Sequence, residues 1–461
     1  MVKYLKIILL FALLLIKQIS IAQKLSLGEI TAKADRLIGE YKEKQALKIL
    51  EDVNIDDYKN ENDTELASYY FVKATAYDLT KDSRNSINSF KKACEHFENT
   101  GYTWDRYLQS LLSLGHLYYN QGEQDIAETY FRKVVIYGNP SLILDKGMSE
   151  IDALVNAFFN LGIIYVNKDN IKLAELCLHQ TNRKGNALYE KFKIILYNQI
   201  VNKLLDKANK CSDDKKYEDV IALFDKLLSI IGYYKGEKDD QYLFVEVSKA
   251  TVLCFNLFRY KDAIHVFEST INKKRYIDHP SEDICTSYCS LIFCYAALKK
   301  YDMVQKTLIA GYDYLKNASL SDYPPHMLYR FAGNGAYGND DYSRAISYYE
   351  KYLDSNNPKE GATNYEEIVN MLSVAYIFSD YPKKAQKLLK SFIKNYEDAM
   401  IVSNPNTLAN IYHNLGYSFM LERDFKNALI YLNKSKDLQI KLYGVPNSRT
   451  NDYITECSKN K

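Results

Sequence analysis

The residues of this 461-residue chain that could do chemistry are few, and most stand alone. Cys94-Glu95-His96 brings a thiol close to an imidazole, the pairing a cysteine nucleophile needs. Two positions apart on a helix, however, side chains point about 200° away from each other, so this pair cannot act together. His116, His265 and His413 occur singly on separate predicted helices. Asp239-Asp240 and Asp340-Asp341 fall in predicted turns, where carboxylates cap helices more often than they hold metal. No alternating oxygen ligands with a terminal Glu form a calcium loop, and no Gly-x-Ser-x-Gly, His-Glu-x-x-His or phosphate-cradling glycine loop occurs. The expectation is therefore a chain that is not an enzyme and carries no cofactor or metal.

Amide chemistry recurs instead. Asn156 and Asn160 lie one helical turn apart, as do Asn410 and Asn414, and Gln109, His116 and Asn120 add polar positions upstream. An amide offers a donor and an acceptor together, so it can hold a peptide backbone whatever its sequence. The same residues would also serve as solvated positions on an exposed helix face.

Eight cysteines, at 94, 177, 211, 254, 285, 289, 294 and 457, make an even count, which in an exported chain invites a disulfide reading. Most of them fall at small or apolar slots of the helix pattern below, which favours buried small hydrophobes. Cys285 and Cys289 sit one turn apart on one helix, where disulfide geometry is strained. A metal site would need Cys-x-x-Cys or a nearby histidine set, and neither appears. Lys+Arg (60) and Asp+Glu (58) nearly cancel, and no segment carries the Lys/Arg stripe that phosphate backbones require, so nucleic acid is not expected as a partner.

Helices must position these groups. With only 18 Gly and 8 Pro, linkers, collagen-like sequence and many-turned β architectures are disfavoured. Internal periodicity decides the architecture. Leu114-Gly115 is followed by Tyr118, Ala127 and Phe131; Leu161-Gly162 by Tyr165, Ala174 and Leu178; Leu415-Gly416 by Phe419, Ala428 and Leu432. In that register each second helix has a small residue: Ala46, Ser86, Ala127, Ala174, Val220, Ala263, Val304, Ala345, Ala385 and Ala428. A bulky residue follows four later in every copy, from Leu50 to Leu432. The gaps between small residues run 40, 41, 47, 46, 43, 41, 41, 40 and 43. The small residue lets the paired helix approach, the bulky one fills the groove beside it, and an aromatic such as Tyr118 or Tyr376 closes the layer against the next pair. The 42 tyrosines suit such pairs, with ring bodies inside and hydroxyls at the rim.

This pattern resembles the tetratricopeptide repeat, with Leu-Gly-x-x-Tyr in the first helix and Ala-x-x-x-Phe in the second. The resemblance implies an all-α, right-handed superhelical solenoid of about ten antiparallel helix pairs over residues 23–445. A capping helix would occupy 446–461. Periods near 41, and the closing stretch from Asn404 to Gly444, resemble repeats of the kinesin-light-chain type. The least regular units lie between 183 and 242, and 318–325 is a candidate kink.

Residues 1–22 read as a signal peptide: Lys3 and Lys6, a ten-residue apolar run from Ile7 to Ile16, and Ser20-Ile21-Ala22 before the cleavage point. That run is too short to span a bilayer as a helix, and no later stretch is longer, so no integral membrane segment is expected after cleavage. The Ala22-Gln23 junction looks like those of exported Bacteroidota proteins, and the expected location is periplasmic or secreted.

In the resembling family, first helices line a concave groove, and the residue before Leu-Gly points into it. Here that residue is Asn160 in the fourth pair and Asn414 in the tenth, with Asn156 and Asn410 one turn earlier and Gln109, His116 and Asn120 in the third pair. A chaperone-type carboxylate clamp does not fit, because the corresponding slots read Ser113, Asn160, Asp206 and Lys249. The expected function is a non-catalytic protein- or peptide-binding scaffold. The alternative is a regulatory partner of a separately encoded envelope effector, such as a caspase-like peptidase or sensor kinase.

Overall fold

A computed structural model describes residues 25–100, 104–138, 148–182, 186–273, 276–277, 279–355, 365–399 and 404–460. The expected signal peptide lies outside the described residues. Among those described there are twenty-one α-helices, one short 3-10 turn and no strand. The fold is all-α and tetratricopeptide-like, ten successive helix pairs followed by one further helix.

By its internal contacts the chain divides into two compact units, Met1–Lys203 and Leu204–Lys461. The first holds α1 (Leu27–Gly39) and α2 (Glu43–Glu51), α3 (Asp63–Leu79) and α4 (Ser83–Thr100), α5 (Trp104–Asn120) and α6 (Gln124–Tyr137), and α7 (Met148–Asn167) and α8 (Ile171–Thr181). The division falls inside α9 (Ala187–Asp213). The second unit holds α10 (Tyr217–Tyr234), then α11 (Asp240–Phe255) and α12 (Tyr260–Lys273), α13 (Glu282–Ala297) and α14 (Tyr301–Ala318), and α15 (Met327–Tyr337) and α16 (Tyr342–Ser355). It closes with α17 (Tyr365–Phe378) and α18 (Pro382–Ala399), α19 (Pro405–Leu421) and α20 (Phe425–Tyr443), and α21 (Ser448–Lys459).

The ten small residues chosen from periodicity all lie on second helices and are at most 1% exposed. Their bulky partners are buried as well. Glycine on the first helix completes the contact. A β-carbon on Gly115 would come within 2.5 Å of the Phe131 ring, and one on Gly416 within 2.7 Å of Leu432. Gly333 stands in the same relation to Tyr349. In these three pairs the helices thus meet where one has no side chain and the other a large one.

The turn inside each pair follows one rule that composition did not announce. Five residues before each small residue the backbone is left-handed, with positive φ at Tyr41, Lys81, Gly122, Asp169, Lys215, Phe258, Lys299, Asp340, Asp380 and Arg423. The next amide reaches back to a first-helix carbonyl, as in Asp82 N to Tyr77 O (2.9 Å), Glu123 N to Tyr118 O (3.0 Å) and Tyr381 N to Tyr376 O (2.8 Å). This is the Schellman closure, which satisfies carbonyls orphaned at a helix end. Only one of the ten positions is glycine, and three are aspartate, at Asp169, Asp340 and Asp380.

Tyrosine joins successive pairs. Tyr77 donates its hydroxyl to Glu51 Oε1 (2.8 Å) and Tyr376 to Glu350 Oε1 (2.6 Å), while Tyr295 donates to Glu268. Each glutamate lies five residues after the small residue of the preceding pair. These three hydroxyls are spent on carboxylates, and burial beside Glu51 pushes the Tyr77 phenol up to about 12.

The irregular gaps have local causes. The 27 residues of α9 lengthen one period, against 17 in α3. The stretch 318–325 runs from the last residue of α14 into the connection that follows it, where Ser319 turns left-handed. At the end of the chain α21 covers α19 and α20: Cys457 is fully buried, Tyr453 stacks on Tyr417 at 4.6 Å, and Thr450 Oγ1 meets His413 Nδ1 at 2.9 Å.

Candidate functional site

In the first unit the polar positions of α5 share one face, since Gln109, His116 and Asn120 are seven and four residues apart. The structure brings His116 together with the asparagines of α7. His116 Nε2 lies 3.2 Å from Asn156 Oδ1 and 3.1 Å from Asn160 Nδ2. Protonated, Nε2 donates to Asn156; unprotonated, it accepts from Asn160. Asn160 Nδ2 also donates to Asn156 Oδ1 at 2.6 Å and to the Asn156 backbone carbonyl at 2.8 Å. The His116 ring packs edge-on against Phe131 at 5.4 Å, and burial holds its pKa below the ordinary histidine value. Gln109 donates to Asp105 in its own helix at 3.0 Å, and Asn120 is exposed at the last residue of α5.

In the second unit Asn414 on α19 reaches α17, donating to Asn370 Oδ1 at 2.8 Å and to Ser373 Oγ at 3.4 Å. Asn410, one turn earlier, is exposed. Asn370 and Ser373 escaped the sequence reading. Ser373 fills the slot that glycine holds in other pairs, twelve residues before Ala385, and Asn370 lies three before it, so the register itself could have found them.

These amides differ from the expectation in one respect. Their NH2 groups are engaged with the neighbouring first helix, so they link repeats as well as face outward. Among the described residues no donor reaches Asn160 Oδ1 or Asn414 Oδ1, which leaves both as acceptors. Lys249, weighed for a carboxylate clamp, pairs with Asp225 at 2.5 Å.

The asparagines line neither of two concavities found among the described residues. A cavity of about 540 Å3 in the second unit is lined by Lys238, His265, Glu268, Asn272, Lys273 and Tyr276, among others. Its cations are already occupied: Lys238 lies over the Tyr276 ring at 3.7 Å, and Lys273 bonds Glu246 at 2.8 Å. One of about 490 Å3 in the first unit lies between α3 and α4, beside Tyr70, Lys73, Lys91 and Lys92. Among the described residues no group of three or more His, Cys, Asp or Glu could hold a metal ion. No described helix is long and apolar enough to cross a membrane. Cys94 is buried, which pushes its thiol up to about 12, far from the thiolate a nucleophile needs.

Two segments match family models described as tetratricopeptide repeat, residues 67–96 and 108–136. These fall on α3–α4 and α5–α6, in the register described. None of the curated proteins compared with the chain matches it. Among solved structures, a tetratricopeptide repeat protein from Parabacteroides merdae is 11% identical over 66% of this chain and 98% of its own, with a TM-score of 0.33. Yeast Tom70 is 13% identical over 94% of each chain, with a TM-score of 0.33. A kinesin light chain with nearly identical TPR-like repeats from Podosopora anserina is 10% identical over 53% of this chain and 96% of its own, with a TM-score of 0.32. Superpositions this loose carry no functional weight, and the two repeat matches and the tenfold register bear the assignment.

Proposed function

We propose that this chain, a tetratricopeptide-repeat protein, is a non-catalytic scaffold that binds a protein or extended peptide along the polar face of its first helices. The observation that carries this reading is the recurrence of half-buried amides on that face in both units, His116–Asn156–Asn160 in one and Asn370–Asn414 in the other. Each cluster is held in place by its neighbour helix and keeps an amide oxygen as an acceptor. A peptide N–H is the matching donor, and a preformed acceptor costs little ordering on binding. The proposed setting is the cell envelope or exterior, which rests on the signal-like segment 1–22.

The test compares the chain from residue 23 onward with its Asn160→Ala/Asn414→Ala variant in affinity capture from envelope extracts. Photo-crosslinkers at the exposed positions Asn120 and Asn410 report contact directly. We expect the same partner to crosslink at one or both positions, and its recovery to fall in the double variant while helicity is kept. Unchanged recovery with no crosslink at either position would remove the first-helix face as the binding surface.

A further inference from the structure

We propose that Cys254 and Cys294 are a cross-linking site, a disulfide that joins the first helices of two successive pairs within the second unit. Cys254 lies near the end of α11 and Cys294 near the end of α13, forty residues on. Their Sγ atoms are 3.2 Å apart, and both residues are fully buried. A disulfide requires about 2.05 Å, so the sulfurs need to close by roughly 1.2 Å, which is within the reach of small side-chain rotations. No other contact between two thiols occurs among the described residues, and Cys285 and Cys289, though in the same core, point along one helix. The placement recurs from the repeat itself: each cysteine precedes the small residue of its own second helix by nine or ten residues, so stacking brings the two slots face to face.

The surroundings determine when the bond can form. Tyr260 and Phe293, edge-on to each other at 6.0 Å, pack against the core that holds the pair. The hydrogen bond to Cys294, together with burial, holds the Cys254 thiol far above the ordinary range. Exchange requires access to a thiolate, and both sulfurs of the folded chain are fully buried. The link must therefore be made during folding, before α13 seats on α11.

The oxidant is a small-molecule or protein disulfide. One cysteine thiolate attacks it, forming a mixed disulfide and releasing one thiolate. The second cysteine then attacks the mixed disulfide and releases the other. The two protein sulfurs lose two electrons, the oxidant disulfide is reduced to two thiols, and the two protons from the cysteines pass to the leaving thiolates. The chemistry is independent of the binding function proposed above; only its occurrence in the cell rests on the export proposed there.

The full chain from residue 23, unfolded in guanidinium with reductant, is refolded in oxidised and reduced glutathione, alkylated, and digested without reduction. The expected result is an intact mass two hydrogens lighter and one linked peptide pair holding Cys254 and Cys294, absent from Cys294→Ser. Helicity should match that of the reduced chain. Natively folded reduced protein in the same buffer should oxidise at least tenfold more slowly, and reduction of the linked form should need denaturant. Finding no Cys254–Cys294 peptide, a different pairing, only glutathione adducts, or a linked chain with lower helicity would overturn the proposal. Equal oxidation rates for folded and unfolded chain would overturn the folding-coupled route.

Discussion

Gly115 faces the ring of Phe131 sixteen residues on, so closely that a β-carbon would stand 2.5 Å from the ring's Cε1. The same spacing joins Gly333 to Tyr349 and Gly416 to Leu432. Gly115→Ala must push a fully buried ring out of its slot, and overpacking of that kind costs about 1–3 kcal/mol. Gly39→Ala meets open space and serves as the control, with no loss expected. Guanidinium unfolding of the two variants checks the difference; equal midpoints would show that the pair can spread without penalty.

The left-handed turn positions offer the opposite effect. Lys215, Phe258 and Lys299 hold φ of 58°, 55° and 56°, a region costly for any residue with a β-carbon. Glycine there relieves that cost but adds freedom to the unfolded chain, leaving a net gain of about 0.5–1 kcal/mol at each site. Lys215→Gly and Lys299→Gly should each raise the thermal midpoint, and together they should add. A lower midpoint for both would mean that the lysine side chains contribute more than their turns cost.

Glu246 and Lys273 form an ion pair between α11 and α12 with only 9% and 13% of their side chains exposed. Lys273 Nζ reaches both carboxylate oxygens at 2.8 Å, and Thr270 donates to one of them at 2.8 Å. Lys273→Met leaves a buried carboxylate without its cation and should cost about 3–5 kcal/mol. Glu246→Leu with Lys273→Met should recover most of that loss, because an apolar pair needs no partner. A double-mutant cycle in urea gives the coupling, and additive losses would contradict it.

Asp283 is expected to make the second unit less stable as pH rises. Burial first, then the charges of Asp240 and Glu282, push its carboxyl up to about 6. Between its unfolded value near 3.9 and about 6 the folded chain holds a proton that the unfolded chain has lost. The associated stability is complete below that window and is lost as pH rises through it. Asp283→Asn should be more stable than the parent at pH 7.5 by on the order of 1 kcal/mol, since solvent screens part of the effect, and the gap should close by pH 4. A gap that does not change with pH would assign the effect to something other than this proton.

His116 runs the other way. Burial lowers its folded pKa, so the unfolded chain takes up a proton first as pH falls below about 6.5. Stability is complete above that value and declines as pH falls through the folded value. Protonation also removes the Nε2 acceptor that Asn160 uses. An NMR titration of the His116 ring should give a pKa below the ordinary histidine value, and His116→Gln should flatten the acid side of the stability profile. A pKa at or above the ordinary value would overturn both points.

The fold was largely legible because its contacts are local and repeated. Ala127, Ala263 and Ala428 could be aligned as counterparts from spacing alone, and all three are fully buried on second helices. The candidate site was legible only in part. Asn160 and Asn414 could be placed on a helix face, but their partners His116 and Asn370 lie forty-four residues away in each case, across a neighbour interface. Spacing within a helix says nothing about which residue stands opposite on the next one. The turn at Asp340 was legible, whereas left-handed residues such as Tyr41, Lys215 and Phe258 carry no turn signal of their own, because the closure of the helix end imposes their conformation.

The sequence by itself determined the helix pairs, their number and their register, because a 3.6-residue period and a recurring small–bulky pattern are properties of the chain read in one dimension. Tertiary structure decided which polar groups meet: Tyr77 with Glu51, His116 with Asn156 and Asn160, and Cys254 with Cys294. Those meetings depend on how far one pair is shifted and turned against the next. That offset is set by the volume of the buried side chains between them, a quantity that appears only once they are packed.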